Sequence, residues 1–575
     1  MEAAERTMLS WDGTELFYRA WLPEGWKTKQ ALLLFHRGHE HSGRWRETVD
    51  SLGLKEVAIF AWDARGHGRS PGERGAAREL SDVIKDVDAF VRHIKEEYGI
   101  ALENMILLAH SLAAVTVGAW VHDYGPPIRG LILATAAFEV KLYLPLALPA
   151  LRLQQRFFGA GRVKSYVRAK MLTHDPAEAA RYDADPLIFR QIAINLLLDL
   201  HETAERLLAD AGAIQVPVLM LAAGRDWVVS LTAQRKFFDR LSSPLKQMHV
   251  FPAMYHAIFH EVERERVIER VREFVRERFA QPPLALSLRR ADRYGYTWEE
   301  YERLKLRGGP QFVVLRAALR LAGRFSNGIE LGWQSGFDSG RSLDYVYQNR
   351  PQGSSRFGKY IDTNYLKSIG WRGIRQRKAN LEEALRRVIE MLHAAGRPIR
   401  ILDIAAGAGR YVLETMRALP AIPMSATLRD YREENVVAAR ALAEELELQN
   451  VTAGVGDAFD GASLAALNPP ATIGIVSGLY ELFPSNDAVA QSLGGLAAAI
   501  EPGGFLIYTN QPWHPQLEFI ARVLRNREGQ PWIMRRRTTA EIDELVSAAG
   551  FEKCAMEIDR WGMFTVAVAA RRLAA

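Results

Sequence analysis

Leu107-Leu108-Ala109-His110-Ser111-Leu112-Ala113-Ala114 decides how the first half of the chain is read. The apolar run Met105 to Leu108 predicts a buried strand, and the residues after Ser111 can continue as a helix. A serine held in so tight a turn between strand and helix needs small neighbours on both sides. Ala109 and Ala113 supply them, where glycine is the commoner solution. The backbone N–H of Leu112, first in the helix, then faces any negative charge that develops where the serine attacks. By itself the stretch also fits a serine buried at the end of an Ala-rich strand, so the flanking chain has to decide.

Outward from this turn, Leu32-Leu33-Leu34-Phe35, Val57 to Ala61, Ile132-Leu133-Ala134 and Val218 to Leu221 are short apolar runs bounded by turn residues, and Val83 to Tyr98 has helical periodicity. Alternating strands and helices predict a parallel, helix-covered α/β sheet. The loop after the first run reads His36-Arg37-Gly38-His39-Glu40-His41-Ser42-Gly43-Arg44-Trp45, and the loop after the next reads Asp63-Ala64-Arg65-Gly66-His67-Gly68-Arg69-Ser70. With the serine turn, these resemble the monoglyceride lipase and lysophospholipase branch of the α/β-hydrolase family (serine aminopeptidase S33-like). The resemblance covers residues 10–279. It implies a second oxyanion donor in the first loop, the N–H of Gly38 beside that of Leu112. Arg37 and His39 stand where the family has glycine, so their side chains are expected to narrow or reshape this pocket.

A serine nucleophile needs a base, itself held by an acid. In this fold they follow in the order Ser, Asp, His. Val216 to Asp226 is a strand ending on an acid, and Met248 to His256 is a final strand with a loop histidine, so Ser111, Asp226 and His256 are the candidate triad. Asp175, Asp183 and Asp185 also follow the serine but not at a strand end. His260 is assigned a surface role, and His110 a part in shaping the turn. Residues about 138–215 occupy the position of a cap. The apolar stretch Leu142 to Leu151, followed by Arg152, Arg156, Arg162, Lys164, Arg168 and Lys170, suits acyl-chain binding or peripheral membrane contact. A cap helix packed on the core is the alternative.

At 575 residues the chain exceeds one core, and 48% hydrophobic with 25% charged residues is ordinary for globular protein. No apolar run reaches the ~20 residues that span a bilayer. Met1 to Arg6 is not read as a signal peptide, and one cysteine, Cys554, suits a reducing compartment. A cytoplasmic protein is expected, with peripheral contact at the inner membrane face through the cap. Net charge of +6 is mild and does not suggest nucleic acid. The oligomeric state is left open, and no metal is expected.

Gln281-Pro282-Pro283 ends the first domain, read as 1–279. Residues 280–375 read as a packed connector or lid, in which Val313 to Arg324 is a basic amphipathic helix and Gly, Tyr, Trp and Arg are frequent. The remainder, 376–575, opens with an amphipathic helix, Leu381 to Leu392. It leads to Ile399-Arg400-Ile401-Leu402-Asp403-Ile404-Ala405-Ala406-Gly407-Ala408-Gly409-Arg410-Tyr411, a strand entering a small-residue turn that lets a ligand approach the backbone. D-x-A-A-G-x-G resembles motif I of class I S-adenosylmethionine-dependent methyltransferases, and the likeness extends over about 380–572. It implies a Rossmann-like fold with S-adenosyl-L-methionine as cofactor. The methionine part lies against Asp403, Ala405, Gly407 and Gly409, the ribose at Asp430, and the adenine near Asp457 and Ala458. Tyr480, Glu481 and His514, at the mouths of the fourth and fifth strands, are candidates for the acceptor site. Arg535-Arg536-Arg537 could hold a phosphate or carboxylate, or be structural.

The expected protein is a fused pair of enzymes. A serine hydrolase, needing no cofactor, acts on a lipid-like ester such as a monoacylglycerol or lysophospholipid, and a methyltransferase acts on a small-molecule or lipid acceptor. The competing readings are a chain in which one half serves only as scaffold, a general esterase or aminopeptidase with an accessory methyltransferase, and a nucleic-acid methyltransferase. Ser477-Gly478-Leu479-Tyr480 lacks the N-P-P-Y-like motif of base methylation, against the last.

Overall fold

The computed structural model describes residues 2–144, 146–159 and 161–573. They form two compact units, Met1–Leu286 and Ser287–Ala575. The first is built on an eight-stranded sheet of β1 (Ala4–Leu9), β2 (Glu15–Trp21), β3 (Ala31–Phe35), β4 (Ala58–Trp62), β5 (Met105–His110), β6 (Gly130–Ala134), β9 (Val218–Ala223) and β10 (Lys246–Phe251). Its order is β1-β2-β4-β3-β5-β6-β9-β10, parallel from β4 to β10. Every residue of β3, β5, β6 and β9 is buried, as strands covered by helices on both faces must be. This is the α/β-hydrolase fold. Between β6 and β9 lies the cap, with helix Ala147–Phe158 and the antiparallel pair of β7 (Arg162–Lys164) and β8 (Gln191–Ala193). Pro145, inside the predicted cap stretch, lies outside the described residues.

The second unit holds a seven-stranded sheet in the order β13-β12-β11-β14-β15-β17-β16. The strands are β11 (Arg400–Asp403), β12 (Ser425–Asp430), β13 (Val451–Val455), β14 (Ala471–Val476), β15 (Ile500–Asn510), β16 (Phe551–Ile558) and β17 (Thr565–Arg571). β17 runs antiparallel between β15 and β16. The order reverses between β11 and β14, and in such sheets ligands bind beyond the carboxyl ends of the strands at that switch point. Residues 287–375 are not a separate connector. Their helices, including Pro310–Gly323, Gly340–Gln348 and Arg356–Leu366, pack Ile329, Phe337, Val346 and Leu366 into one apolar core with Leu517, Trp532 and Phe564. Helix Ile369–Ala394 then runs on to β11.

Candidate active sites

In the first unit, three loops at the carboxyl ends of the parallel strands bring Ser111, Asp226 and His256 together. Ser111 follows β5 with φ 59° and ψ −113°, a strained conformation that aims its hydroxyl out of the turn. Its Oγ lies 2.8 Å from His256 Nε2, and His256 Nδ1 lies 2.8 Å from Asp226 Oδ2. The N–H groups of Val228 and Val229 donate to Asp226 Oδ1 at 2.7 and 2.9 Å. Burial pushes the Asp226 carboxyl up, but the His256 ring and these N–H donors outweigh it and hold the pKa below the ordinary value. The His256 carbonyl is gripped by His110 Nε2 and the Thr135 hydroxyl, each at 3.2 Å. Burial, then the neighbouring His256 ring, drives the His110 pKa well down, so His110 is a neutral donor that fixes the His256 backbone.

Gly38 sits against the start of the helix Leu112–Tyr124: a Cβ added to it would stand 3.7 Å from Leu112 Cδ1. The loop is braced from behind. His36 Nε2 accepts from the Ala64 N–H at 3.0 Å, so its Nδ1 carries the proton donated to the Arg37 carbonyl at 2.8 Å. Arg37 turns inward, donates to Glu40 Oε1 at 2.8 Å and lies over the Tyr182 ring. Arg44 bridges Glu40 and Glu178. The two non-glycine residues thus belong to a buried ionic brace and a positive-φ turn (His39, φ 71°). His260 is not a surface residue. It is buried 3.5 Å from Glu178, and burial pulls its pKa down to about 3. Asp175 caps the helix Pro176–Ala184, and Asp185 lies 3.0 Å from His41 Nε2, so neither competes for His256.

In the second unit, the turn after β11 lines a small cavity with Gly340, Tyr347, Arg377 and Ser477. Gly407 and Gly409 have φ 57° and 67°, and a Cβ at Gly409 would come within 2.5 Å of Leu428. Asp430, ending β12, accepts from the N–H groups of Gly407 (2.9 Å) and Arg432 (3.0 Å) and from Asn435 Nδ2 (2.9 Å). This open, backbone-lined turn with an acid at the next strand end fits the methionine and ribose parts of a nucleoside cofactor. Asp403 stands one layer behind it. Fully buried, it accepts from the Ala405 N–H (3.1 Å) and the Tyr411 hydroxyl (2.6 Å) rather than lining the cavity. Burial raises its pKa to about 7 despite those two donors. Beyond β13, Asp457 is exposed and accepts from the Phe459 N–H, Ala458 is buried, and Phe459 packs on Phe483.

A second cavity, of about 370 Å³, adjoins this one and shares Leu343 and Arg377 with it. Its walls are mainly apolar, from Leu319 and Ala322 to Trp371, Trp532 and Phe564. Glu481, His514 and Arg377 supply polar groups. Arg377, which sequence reasoning missed, is buried, lies 3.4 Å from Glu481 Oε1 and packs on the Phe564 ring. No local pattern announces it, because it lies in a helix whose apolar period was visible only from Leu381 onward. His514 Nδ1 accepts from the Gln516 N–H at 3.1 Å, so the proton sits on Nε2, and burial lowers the ring's pKa to about 4. Tyr480 does not belong to this site: its side chain is buried and donates to Ser492 Oγ at 3.0 Å. Arg535, Arg536 and Arg537 are buried and spent on Glu541, Glu300, Asn486 and backbone carbonyls, so none is left for a phosphate.

Two family models match. Residues 27–263 match "Serine aminopeptidase, S33" and residues 271–571 match "Putative methyltransferase". "Uncharacterized protein YnbC" of Escherichia coli (strain K12) is 47% identical over 571 residues, covering 98% of this chain and 97% of its own. "Monoacylglycerol lipase" of Mycolicibacterium smegmatis is 25% identical over 259 residues, 44% of this chain and 90% of its own. The crystal structure of Paleococcus ferrophilus monoacylglycerol lipase superimposes with a TM-score of 0.41 at 25% identity, over 48% of this chain and all of its own.

Proposed function

The chain belongs to the "Putative methyltransferase" family, with an S33-type α/β-hydrolase domain ahead of it, and on that premise we propose a bifunctional enzyme with two separate active sites. The first hydrolyses a lipid-like carboxylic ester. Ser111 Oγ attacks the carbonyl carbon and gives its proton to His256 Nε2. Asp226 holds the ring with Nδ1 protonated and stabilises the imidazolium that forms. The N–H groups of Leu112 and Gly38 receive the oxyanion. His256 then protonates the leaving alcohol, and a water activated by the same ring releases the acid. The observation that supports this most is the unbroken relay Ser111–His256–Asp226, 2.8 Å at each step. The lipid preference is supported by the cap, where Tyr143, Leu144, Leu146, Leu153, Phe157 and Phe158 are exposed beside Arg152 and Arg156. Such a surface suits an acyl chain and peripheral contact with a membrane better than a peptide. Hydrolysis of a series of 4-nitrophenyl esters tests the assignment: rates should rise from acetyl to medium or long chains, and a strict acetyl preference would point to a general esterase.

The second site methylates an acceptor with a substantial apolar body. S-adenosyl-L-methionine supplies an electrophilic methyl group when bound. The Ala405–Gly409 turn and Asp430 would hold it, and Asp403 keeps the turn in shape through Ala405 and Tyr411. The adjoining cavity would take the acceptor, with Glu481 placed to accept its proton and the Nε2–H of neutral His514 placed to donate a hydrogen bond to it. The cavity shared at Leu343 and Arg377 supports this reading. Calorimetry with S-adenosylhomocysteine tests it, and absence of binding would leave the second unit without a methyl donor.

A further inference from the structure

The helix Pro310–Gly323 has two working faces. Phe312, Leu319 and Ala322 turn inward onto the core, with Leu319 and Ala322 lining the large cavity. Val313, Val314 and Leu321 point outward and are 57–67% exposed. The outer face continues through Phe325, whose ring meets Phe357 at 5.7 Å, to Phe357 and Tyr360 on the helix Arg356–Leu366, both more than 60% exposed. An apolar patch of this extent on a soluble surface calls for an occupant.

Charge identifies the occupant. Between Glu302 and Glu330 the chain carries six basic residues and no acid, and between Asp344 and Asp362 it carries Arg350, Arg356 and Lys359 and no acid. Arg307, Arg324, Arg356 and Lys359 are exposed and have no carboxylate partner among the described residues. A second copy of the chain seated symmetrically on this face would set the basic rim against itself. An anionic bilayer meets both needs, taking the outward Val, Leu and Phe side chains below its headgroups and pairing the rim with lipid phosphates. We propose that the outer face of Pro310–Gly323, with Phe325, Phe357 and Tyr360, docks the second unit on an anionic lipid surface. The docking surface stands on exposure and charge alone. If the methyltransferase reading also holds, the acceptor cavity lies behind this helix, lined by its inward residues Leu319 and Ala322, and its substrate is an amphiphile drawn from the bilayer.

The test uses the full chain in a Cys554→Ser background with Leu321→Cys carrying an environment-sensitive dye. The only native cysteine is thereby removed and the reporter sits on this face rather than on the cap. Vesicles of phosphatidylcholine alone and with about one-third phosphatidylglycerol are titrated in. A blue shift is expected, with affinity at least about tenfold greater for the anionic vesicles and weakened by salt. Arg324→Glu with Lys359→Glu, both at exposed positions, should remove that preference without changing the melting temperature. A dye that ignores vesicles, that responds equally to both lipids, or that is already shielded in their absence would overturn the proposal. Vesicle capture without a dye response would assign docking to the cap instead. S-adenosylhomocysteine binding on the same sample reports on the cofactor reading separately.

Discussion

Asp226→Asn probes the hydrolase through a single proton. In the native site Asp226 Oδ1 receives two backbone N–H groups and Oδ2 receives His256 Nδ1–H. An asparagine of the same shape must keep its carbonyl oxygen toward Val228 and Val229. Turning its NH₂ to them would leave two buried N–H groups unpaired, at about 1–3 kcal/mol each. So oriented, the amide NH₂ donates to Nδ1, the ring proton moves to Nε2, and the ring cannot accept the proton of Ser111. Activity survives only through the flipped amide, reached at a cost of about 2–6 kcal/mol. At about 1.36 kcal/mol per decade the rate falls between about 30-fold and about 10⁴-fold. The assay is hydrolysis of a medium-chain 4-nitrophenyl ester by the full chain, with melting temperature as the control for folding. A variant that folds normally and keeps its rate within about threefold of wild type would refute the role given to Asp226.

Glu40→Ala should leave Arg37 buried beside the oxyanion loop without its carboxylate, a loss of about 3–5 kcal/mol. The urea midpoint for loss of Ser111 labelling by a fluorophosphonate should fall accordingly, and an unchanged midpoint would count against the brace. The folded pKa of Asp403 is raised above its unfolded value, so its contribution to stability is fully present below the ordinary 3.8 and lost as pH rises through about 7. Asp403→Asn removes that titration, so the melting temperature of wild type relative to the variant should decline between those pH values; a constant difference would contradict it. Asp430→Ala removes the acceptor that holds the Gly407 N–H and should weaken S-adenosylhomocysteine binding at least about tenfold by calorimetry. Fluorophosphonate labelling of Ser111 should be unaffected.

The two sheets and the meeting of Ser111, Asp226 and His256 could be read from the chain because Ser111 and Asp226 follow continuous apolar runs, which buried parallel strands advertise by composition, while His256 was legible from chain order, in the loop after the last strand. The glycine turn was legible from its small residues after a short strand, and Asp430 as the acid ending the next one. What could not be read depends on tertiary partners. His260 reads as a surface residue where Phe259-His260-Glu261 begins a helix, yet it is buried beside Glu178, far away in the chain. Three successive arginines look solvated until Glu300 and Glu541 pair with two of them and Asn486 and backbone carbonyls accept from the third. Tyr480 and Glu481 are neighbours in sequence, and only the short helical turn Tyr480–Leu482 decides which of them lines the cavity. The helices of 287–375 are short and separated by polar turns, and their shared core forms only against Leu517, Trp532 and Phe564, which lie far along the chain.

The central claim is that one chain carries two working sites. Native mass spectrometry of the intact protein, treated with a fluorophosphonate and then with S-adenosylhomocysteine, tests both at once. One covalent adduct and one bound nucleoside are expected on the same molecule, with Ser111→Ala losing only the first and Asp430→Ala only the second. A chain that takes up one ligand and never the other, or an adduct that persists in Ser111→Ala, would contradict the account.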